Sequence, residues 1–234
     1  MDAVQRRQPL SSTHKGMDIL AGLDALPLPL PLPLIYADDA LLVLEKPAGL
    51  LAVPGRGEAG RDNLAARVQA TYVDALVVHR LDMATSGLML FARGIEAQRQ
   101  LSAAFEQRRV DKRYEAIVEG QLAEDSGEID APLAADWPQR PRQIVDHEWG
   151  RIARTPWCVM ERLDGATRLA LQPLTGRTHQ LRVHLQHIGH PIRGDALYAP
   201  PPLRSTRLLL HACALAFAHP ATGVAMAFTS RPPF

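Results

Sequence analysis

Short apolar runs separated by turn residues dominate the chain, and three stretches follow a helical period instead. Leu41-Leu42-Val43-Leu44 is a contiguous run of buried-strand length, followed by turn chemistry in Lys46-Pro47-Ala48-Gly49 and Val53-Pro54-Gly55. A helix is predicted over 62–72 and a second over 95–108, where Ala97, Leu101, Ala104 and Phe105 recur at i, i+4, i+7 and i+8. Between them, Ala75-Leu76-Val77-Val78 and Leu88-Met89-Leu90-Phe91-Ala92 are strand-like runs on either side of a small polar segment that ends at Gly87. Residues 113–119 alternate, placing Tyr114, Ala116 and Val118 on one side of a strand, and 168–172 alternate with Leu169 and Leu171 inward. A third helix is expected from about His179 to Ile188, with Leu181, Leu185 and Ile188 inward, Thr178 as N-cap, and Gly189 then Pro191 as its stop. Residues 207–218 and 223–229 alternate around His219-Pro220-Ala221-Thr222-Gly223, a hairpin pattern.

Many strands, few helices and hairpin-length links predict an α+β fold: a single domain, 34–234, around a largely antiparallel mixed β-sheet with flanking helices and loops. Ahead of it, Pro27 to Leu34 alternates proline with leucine. That pattern denies the backbone its ladder donors and favours polyproline II. Residues 1–33 are therefore expected to form a mobile extension, too short for a folded RNA-binding module.

Composition adds limits. Apolar residues make up 47% of 234, enough for a core, and no run approaches the ~20 apolar residues of a membrane span. No signal-peptide pattern opens the chain, which points to a cytoplasmic location. Cys158 and Cys213 lie in apolar settings and are expected to be reduced, buried thiols. The net charge of +1 argues against a nucleic-acid partner, but its distribution argues the other way. From Arg140 to Arg207 there are eleven Arg against five acids, while Glu124, Asp125, Glu128 and Asp130 cluster elsewhere. An Arg-rich face suits phosphates and can stack on bases, with an acidic side turned to solvent.

The segment with most chemistry is His79-Arg80-Leu81-Asp82-Met83-Ala84-Thr85-Ser86-Gly87. It holds one carboxylate, Asp82, at the tip of a strand–turn–strand unit, where backbone supplies the rigidity a reacting group needs. Arg80 would keep Asp82 ionised, and Thr85 could hydrogen-bond it. Ser86 lacks the Gly-x-Ser-x-Gly elbow of a serine nucleophile. His179, His184, His187 and His190 are close in sequence, but His179 and His184 fall about 140° apart on a helix and no His-Glu-x-x-His signature is present, so no metal is expected. No dinucleotide or phosphate loop is found, and no cofactor is expected.

His-Arg-Leu-Asp followed by Thr-Ser-Gly resembles the active-site motif of the RluA family of pseudouridine synthases. Val110 to Ala116, with Tyr114, looks like the family's second motif. Pro173-Leu174-Thr175-Gly176-Arg177-Thr178-His179-Gln180-Leu181-Arg182-Val183-His184 looks like its third. Gly194-Asp195 with Tyr198, and Leu210-His211-Ala212, resemble later stretches, so the likeness runs from about Tyr36 to Thr229. The resemblance implies isomerisation of uridine to pseudouridine in structured RNA. Asp82 would be the nucleophile or base, Arg177 would hold its charge and position, and Tyr114 would stack on the uracil and assist in removing the C5 proton. It implies RNA or substrate contacts by His79, Arg80, Thr85, Leu174 and Arg182, with Arg80 filling the gap left by the flipped base. Arg140, Arg142, Arg204 and Arg207 are candidates for phosphates. Ala131-Pro132-Leu133 with Asp136 to Gln143, and the lack of room for an S4-like domain before residue 34, resemble the members that modify a stem-loop shared by 23S rRNA and tRNA anticodon arms. No obligatory protein partner is expected, and the chain would act as a monomer. The rivals are a non-catalytic RNA-binding module of the same fold and a metal-dependent hydrolase built on the histidines.

Overall fold

The structure, a computed structural model, describes residues 33–200 and 207–234. The expected Pro–Leu extension, 1–33, lies outside the described residues apart from Pro33, and so does Arg204. Twelve strands are found among the described residues, ten of them in one sheet. The apolar run after Pro33 gives β1 (Leu34–Ala37) and β2 (Leu41–Lys46), an antiparallel pair. Asn63 then caps α1 (Leu64–Thr71), its side chain accepting the Ala66 amide at 2.9 Å, one of the donors a helix start leaves unmatched. β3 (Ala75–Val77) and β4 (Ser86–Arg93) follow, antiparallel to each other, and α2 (Ile95–Glu106) covers them.

The second half of the sheet contains β5 (Asp111–Glu119), β6 (Ser126–Asp130), β9 (Arg154–Leu163), β10 (Ala166–Leu171), β11 (Leu210–Ala218) and β12 (Ala225–Thr229). A separate hairpin is formed by β7 (Leu133–Ala135) and β8 (Gln143–Val145). The sheet order is β1-β2-β4-β11-β5-β10-β9-β6, with β12 added to β11 and β3 to β4. Only β4 and β11 pair in parallel among its described strands. That junction puts the end of the segment 79–87 beside the start of β11, in the middle of the sheet.

Burial follows the periodicities. Tyr114, Ala116 and Val118 of β5 pack with Leu169 and Leu171 of β10 and with Leu181, Leu185 and Ile188 around α3 (Gln180–His187). Ala97, Leu101, Ala104 and Phe105 of α2 pack on β2 and β4 from the other half. Two expectations need correction, and one strand is new. The third helix begins at Gln180, within a residue of expectation, but its N-cap is His179 in the left-handed region at φ 54°, not Thr178. Cys158 is exposed, because on β9 the core is reached by its neighbours Trp157 and Val159, leaving the intervening side chain on the other face; Cys213 is half-buried. β9 itself, ten residues long, has no counterpart among the predicted strands.

Candidate active site

Asp82 leaves β3 on a turn closed by the Thr85 amide donating to the Asp82 carbonyl at 3.1 Å. The loop is clamped on both sides. Upstream, the His79 ring accepts the Leu90 amide through Nε2 at 2.9 Å and stacks on Phe105 at 4.5 Å. Burial, and Lys112 nearby, push its pKa down to about 3, so the ring is neutral and keeps the lone pair that this bond requires. Downstream, fully buried Lys46 donates through Nζ to the carbonyls of Pro47, Leu50 and Met83 at 2.8, 2.7 and 3.1 Å. The Gly49 amide donates to the same Met83 carbonyl. Burial lowers the Lys46 pKa to about 8, and the Asp82 charge pulls it back up. Gly87, at φ 115°, then brings the chain against β11; a Cβ there would lie 2.3 Å from the Ala212 carbonyl oxygen.

The carboxylate faces a closed set of partners from α3 and the loop after it. Buried Asp195 receives Arg182 Nε and Nη2 at 2.7 and 2.8 Å. That two-pronged grip fixes the guanidinium plane and leaves Nη1 aimed at Asp82 Oδ2, 3.5 Å away. Asp195 Oδ1 also accepts the amides of Leu197 and Tyr198, so its charge is well satisfied. Tyr198 Oη meets His179 Nδ1 at 2.7 Å and accepts the Gln143 amide at 2.8 Å. His179 Nε2 returns to Asp82 Oδ2 at 3.9 Å. Burial lowers the His179 pKa, with Asp82 opposing the change, so Arg182 supplies the counter-charge.

Tyr114 and Arg177 line the same cavity as Asp82, of about 150 Å³, together with Arg80, Thr85 and Arg182. A wider groove of about 530 Å³ adjoins it and is walled by Leu174, His79, Phe105, Arg108 and Arg177. Tyr114 sits on β5 opposite Leu171 and Ala212, and burial with the Asp82 charge raises its pKa further, which keeps the phenol protonated. Arg177 is turned away from Asp82: its Nε donates to the Ile152 carbonyl at 3.0 Å. Arg80 likewise reaches across the cleft, donating to Thr178 Oγ1 at 3.3 Å. Thus the cation in contact with Asp82 is Arg182 rather than Arg177 or Arg80, and Thr85 contributes its backbone rather than its hydroxyl. Gln180 had no assigned role in the sequence. Buried, it accepts Thr175 Oγ1 and the Arg177 amide and donates to Thr155 Oγ1 and the Arg154 carbonyl, stapling the third motif onto β9.

Elsewhere the sequence candidates separate. Arg140 and Arg142 lie on the loop joining β7 to β8, Arg140 over the Trp137 ring at 3.4 Å and Arg142 over Tyr198 at 5.4 Å. Arg207 donates to Ser86 Oγ, which also meets His211 Nδ1 at 2.8 Å; the serine is buried and tied into the sheet. His184 has both ring nitrogens engaged, by Thr155 Oγ1 and the Ala131 carbonyl. Among the described residues no three of His, Cys, Asp and Glu are placed to hold a metal, and no helix is long and apolar enough to cross a membrane. Of the four acids expected on a separate side, three pair with basic residues of β9: Glu128 and Asp130 with Arg154, and Asp125 with Arg162.

Comparison with known proteins agrees with this geometry. The family profile described as RNA pseudouridylate synthase matches residues 40–187. The dual-specificity RNA pseudouridine synthase RluA of Yersinia pestis is 48% identical over 197 residues, 83% of this chain and 96% of that protein. The RluA protein of Pasteurella multocida is 46% identical over 211 residues, 89% of this chain and 96% of its own. Among solved structures, human RNA pseudouridylate synthase domain containing 1 superposes with a TM-score of 0.73 at 27% identity, covering 87% of this chain and 84% of that one.

Proposed function

Because the chain belongs to the RNA pseudouridylate synthase family, we propose that it isomerises uridine to pseudouridine in structured RNA, with Asp82 as the group that acts on the flipped nucleotide. The observation that carries the reading is a carboxylate on a clamped turn, open to a small cavity and in contact with an arginine that a second, buried carboxylate orients.

The reaction breaks the C1′–N1 bond, turns the uracil and rejoins it through C5, with the C5 proton leaving at the end. No electrons are gained or lost. Asp82 serves as nucleophile or base, and Arg182, in direct contact with its Oδ2, holds the carboxylate in place. Tyr114 forms the wall on which the uracil lies. Its raised pKa makes the neutral phenol a poor base, which supports stacking and positioning over proton removal. Arg177, Arg80 and Lys112 line the mouth with positive charge suited to the phosphates beside the target. Arg80 stands where a side chain would fill the gap left by the flipped base.

The substrate we infer is a stem-loop of 23S rRNA and of tRNA anticodon arms, met in the cytoplasm. The segment Ala131 to Gln143 and the dual-specificity relatives support this choice. Tritium release from RNA labelled at uridine C5 tests the reaction: wild type releases tritium, and Asp82→Asn loses at least roughly a thousand-fold of that rate. Silence of the wild type overturns the activity, and equal rates remove Asp82 from its role. Base-resolved mapping of pseudouridine in cells lacking the protein identifies the target.

A further inference from the structure

The loop Asp136–Arg142, between β7 and β8, has features that the chemistry at Asp82 does not use. Trp137 is 71% exposed, an unusual place for the largest side chain, and the Arg140 guanidinium lies 3.4 Å over its ring. The loop that presents this pair is well braced. The amides of Asp136, Gln139 and Arg142 donate to the carbonyls of Arg142, Asp136 and Gln139, and Asp136 Oδ1 also accepts the Gln139 amide. The Asp136 carboxylate is thereby turned to its own backbone. Arg140 and Arg142 have no carboxylate partner among the described residues; Arg142 Nη1 donates to Gln139 Oε1 at 3.4 Å, and its Nε is buried without a hydrogen-bond acceptor. Flat aromatic surface, stacked guanidinium and unmatched cationic donors together describe a nucleotide site, in which a base lies on the plane and a phosphate meets the charge.

The loop is also joined to the reacting carboxylate. Its last neighbour, Gln143, donates its amide to Tyr198 Oη, which meets His179, which faces Asp82. Arg142 lies over the same Tyr198 ring.

We propose that this loop is a second nucleotide subsite. The Trp137–Arg140 stack takes the face of one unpaired loop base neighbouring the target uridine, and Arg142 takes a phosphate beside it. The inference rests on the RNA-modifying reading above and adds where a flanking base is held. A stack of this kind is tolerant of base identity, so the subsite measures the presence and position of an unpaired base rather than its sequence.

The test uses stem-loop RNAs that the wild-type protein modifies, with 2-aminopurine placed in turn at each loop position flanking the isomerised uridine. Wild type should quench one position on binding; Trp137→Ala should lose that quench and Trp137→Phe should keep most of it. The KM of Trp137→Ala should rise roughly 5- to 150-fold, the loss falling on KM rather than kcat. It should shrink when the same loop position is abasic. Unchanged thermal unfolding of the variant shows that the exposed side chain has not been acting through the fold. Unaltered quenching and KM in Trp137→Ala overturn the subsite while leaving the reaction standing. A variant that changes only the sedimentation of the protein overturns it too, in favour of a protein contact. Absence of tritium release by the wild type instead strikes the reading beneath it.

Discussion

At the scale of single residues, the loop that bears Asp82 depends on side chains that hold it in place. His79 is the plainest case. Its Nε2 must carry a lone pair to accept the Leu90 amide, so the folded state binds a proton only at about pH 3, whereas the unfolded chain binds it near 6.5. A folded pKa below the unfolded one gives stability that is complete above 6.5 and is lost as pH falls toward 3. By pH 4.5 the loss is about 3 kcal/mol at 1.36 kcal/mol per unit. Denaturant unfolding of wild type and His79→Gln at pH 7 and 4.5 checks it: the variant should lose markedly less on acidification, and parallel losses would refute the assignment. The sequence placed His79 in the motif as an RNA contact. Nothing in the residue order shows that its ring faces an amide eleven positions later. The same limit hid the contact between Arg182 and Asp82. The motif offered several cations, and only the buried carboxylate of Asp195, supplied by a later loop, selects which one is aimed.

Among elements, the decisive event is the parallel junction of β4 with β11 immediately after the loop that bears Asp82. Gly87 makes it by adopting φ 115° and by leaving room for the Ala212 backbone, whose oxygen and nitrogen would lie 2.3 and 2.5 Å from an added Cβ. Both neighbours are main chain, so neither can swing aside. Gly87→Ala therefore combines a strained backbone with a clash that must push the central strands β4 and β11 away from each other, at a cost of several kcal/mol. At roughly 2–4 °C per kcal/mol for a domain of this size, Tm should drop by about 10 °C, with activity falling alongside. A melting curve matching wild type would show that the strands can separate at little cost. Elements with a clear period were readable: α2, β5, β10 and the final hairpin fall within a few residues of expectation and bury the faces assigned to them. β9 was not readable, because Arg154-Thr155-Pro156-Trp157-Cys158-Val159-Met160-Glu161-Arg162-Leu163 is mostly half-exposed and mixes charge into both faces. The cap of α3 was misassigned for a different reason. A cap in the left-handed region at His179 replaces the usual Thr178 oxygen, freeing that hydroxyl to accept Arg80 and pointing the imidazole at Asp82.

For the whole molecule, the excess of arginine between 140 and 207 overstated the free charge and mislaid it. Arg154, Arg162, Arg168, Arg182 and Arg193 are each matched by a carboxylate. For four of them the partner lies 26 to 74 residues away in sequence. Counting along the chain cannot see such pairs. Arg140, Arg142, Arg151 and Arg177 have no carboxylate partner among the described residues, and burial, then the nearby charge of Arg151, lowers the proton affinity of Arg177. Arg177 lines the cleft, Arg140 and Arg142 lie on the β7–β8 loop, and Arg151 lies between β8 and β9. A phosphate contact releases counterions, so RNA affinity should fall with salt along a log–log slope set by the number of such contacts, roughly 0.7–0.9 per contact. Arg151→Gln should therefore flatten that slope by nearly one and weaken binding to all stem-loops alike. Arg162→Gln, which removes a charge already spent on Asp125, should leave the slope where it was although the formal net charge changes by the same amount. Binding measured between about 50 and 200 mM salt separates the two outcomes. Equal slopes for both variants would mean that net charge, rather than the unmatched set, draws the RNA in.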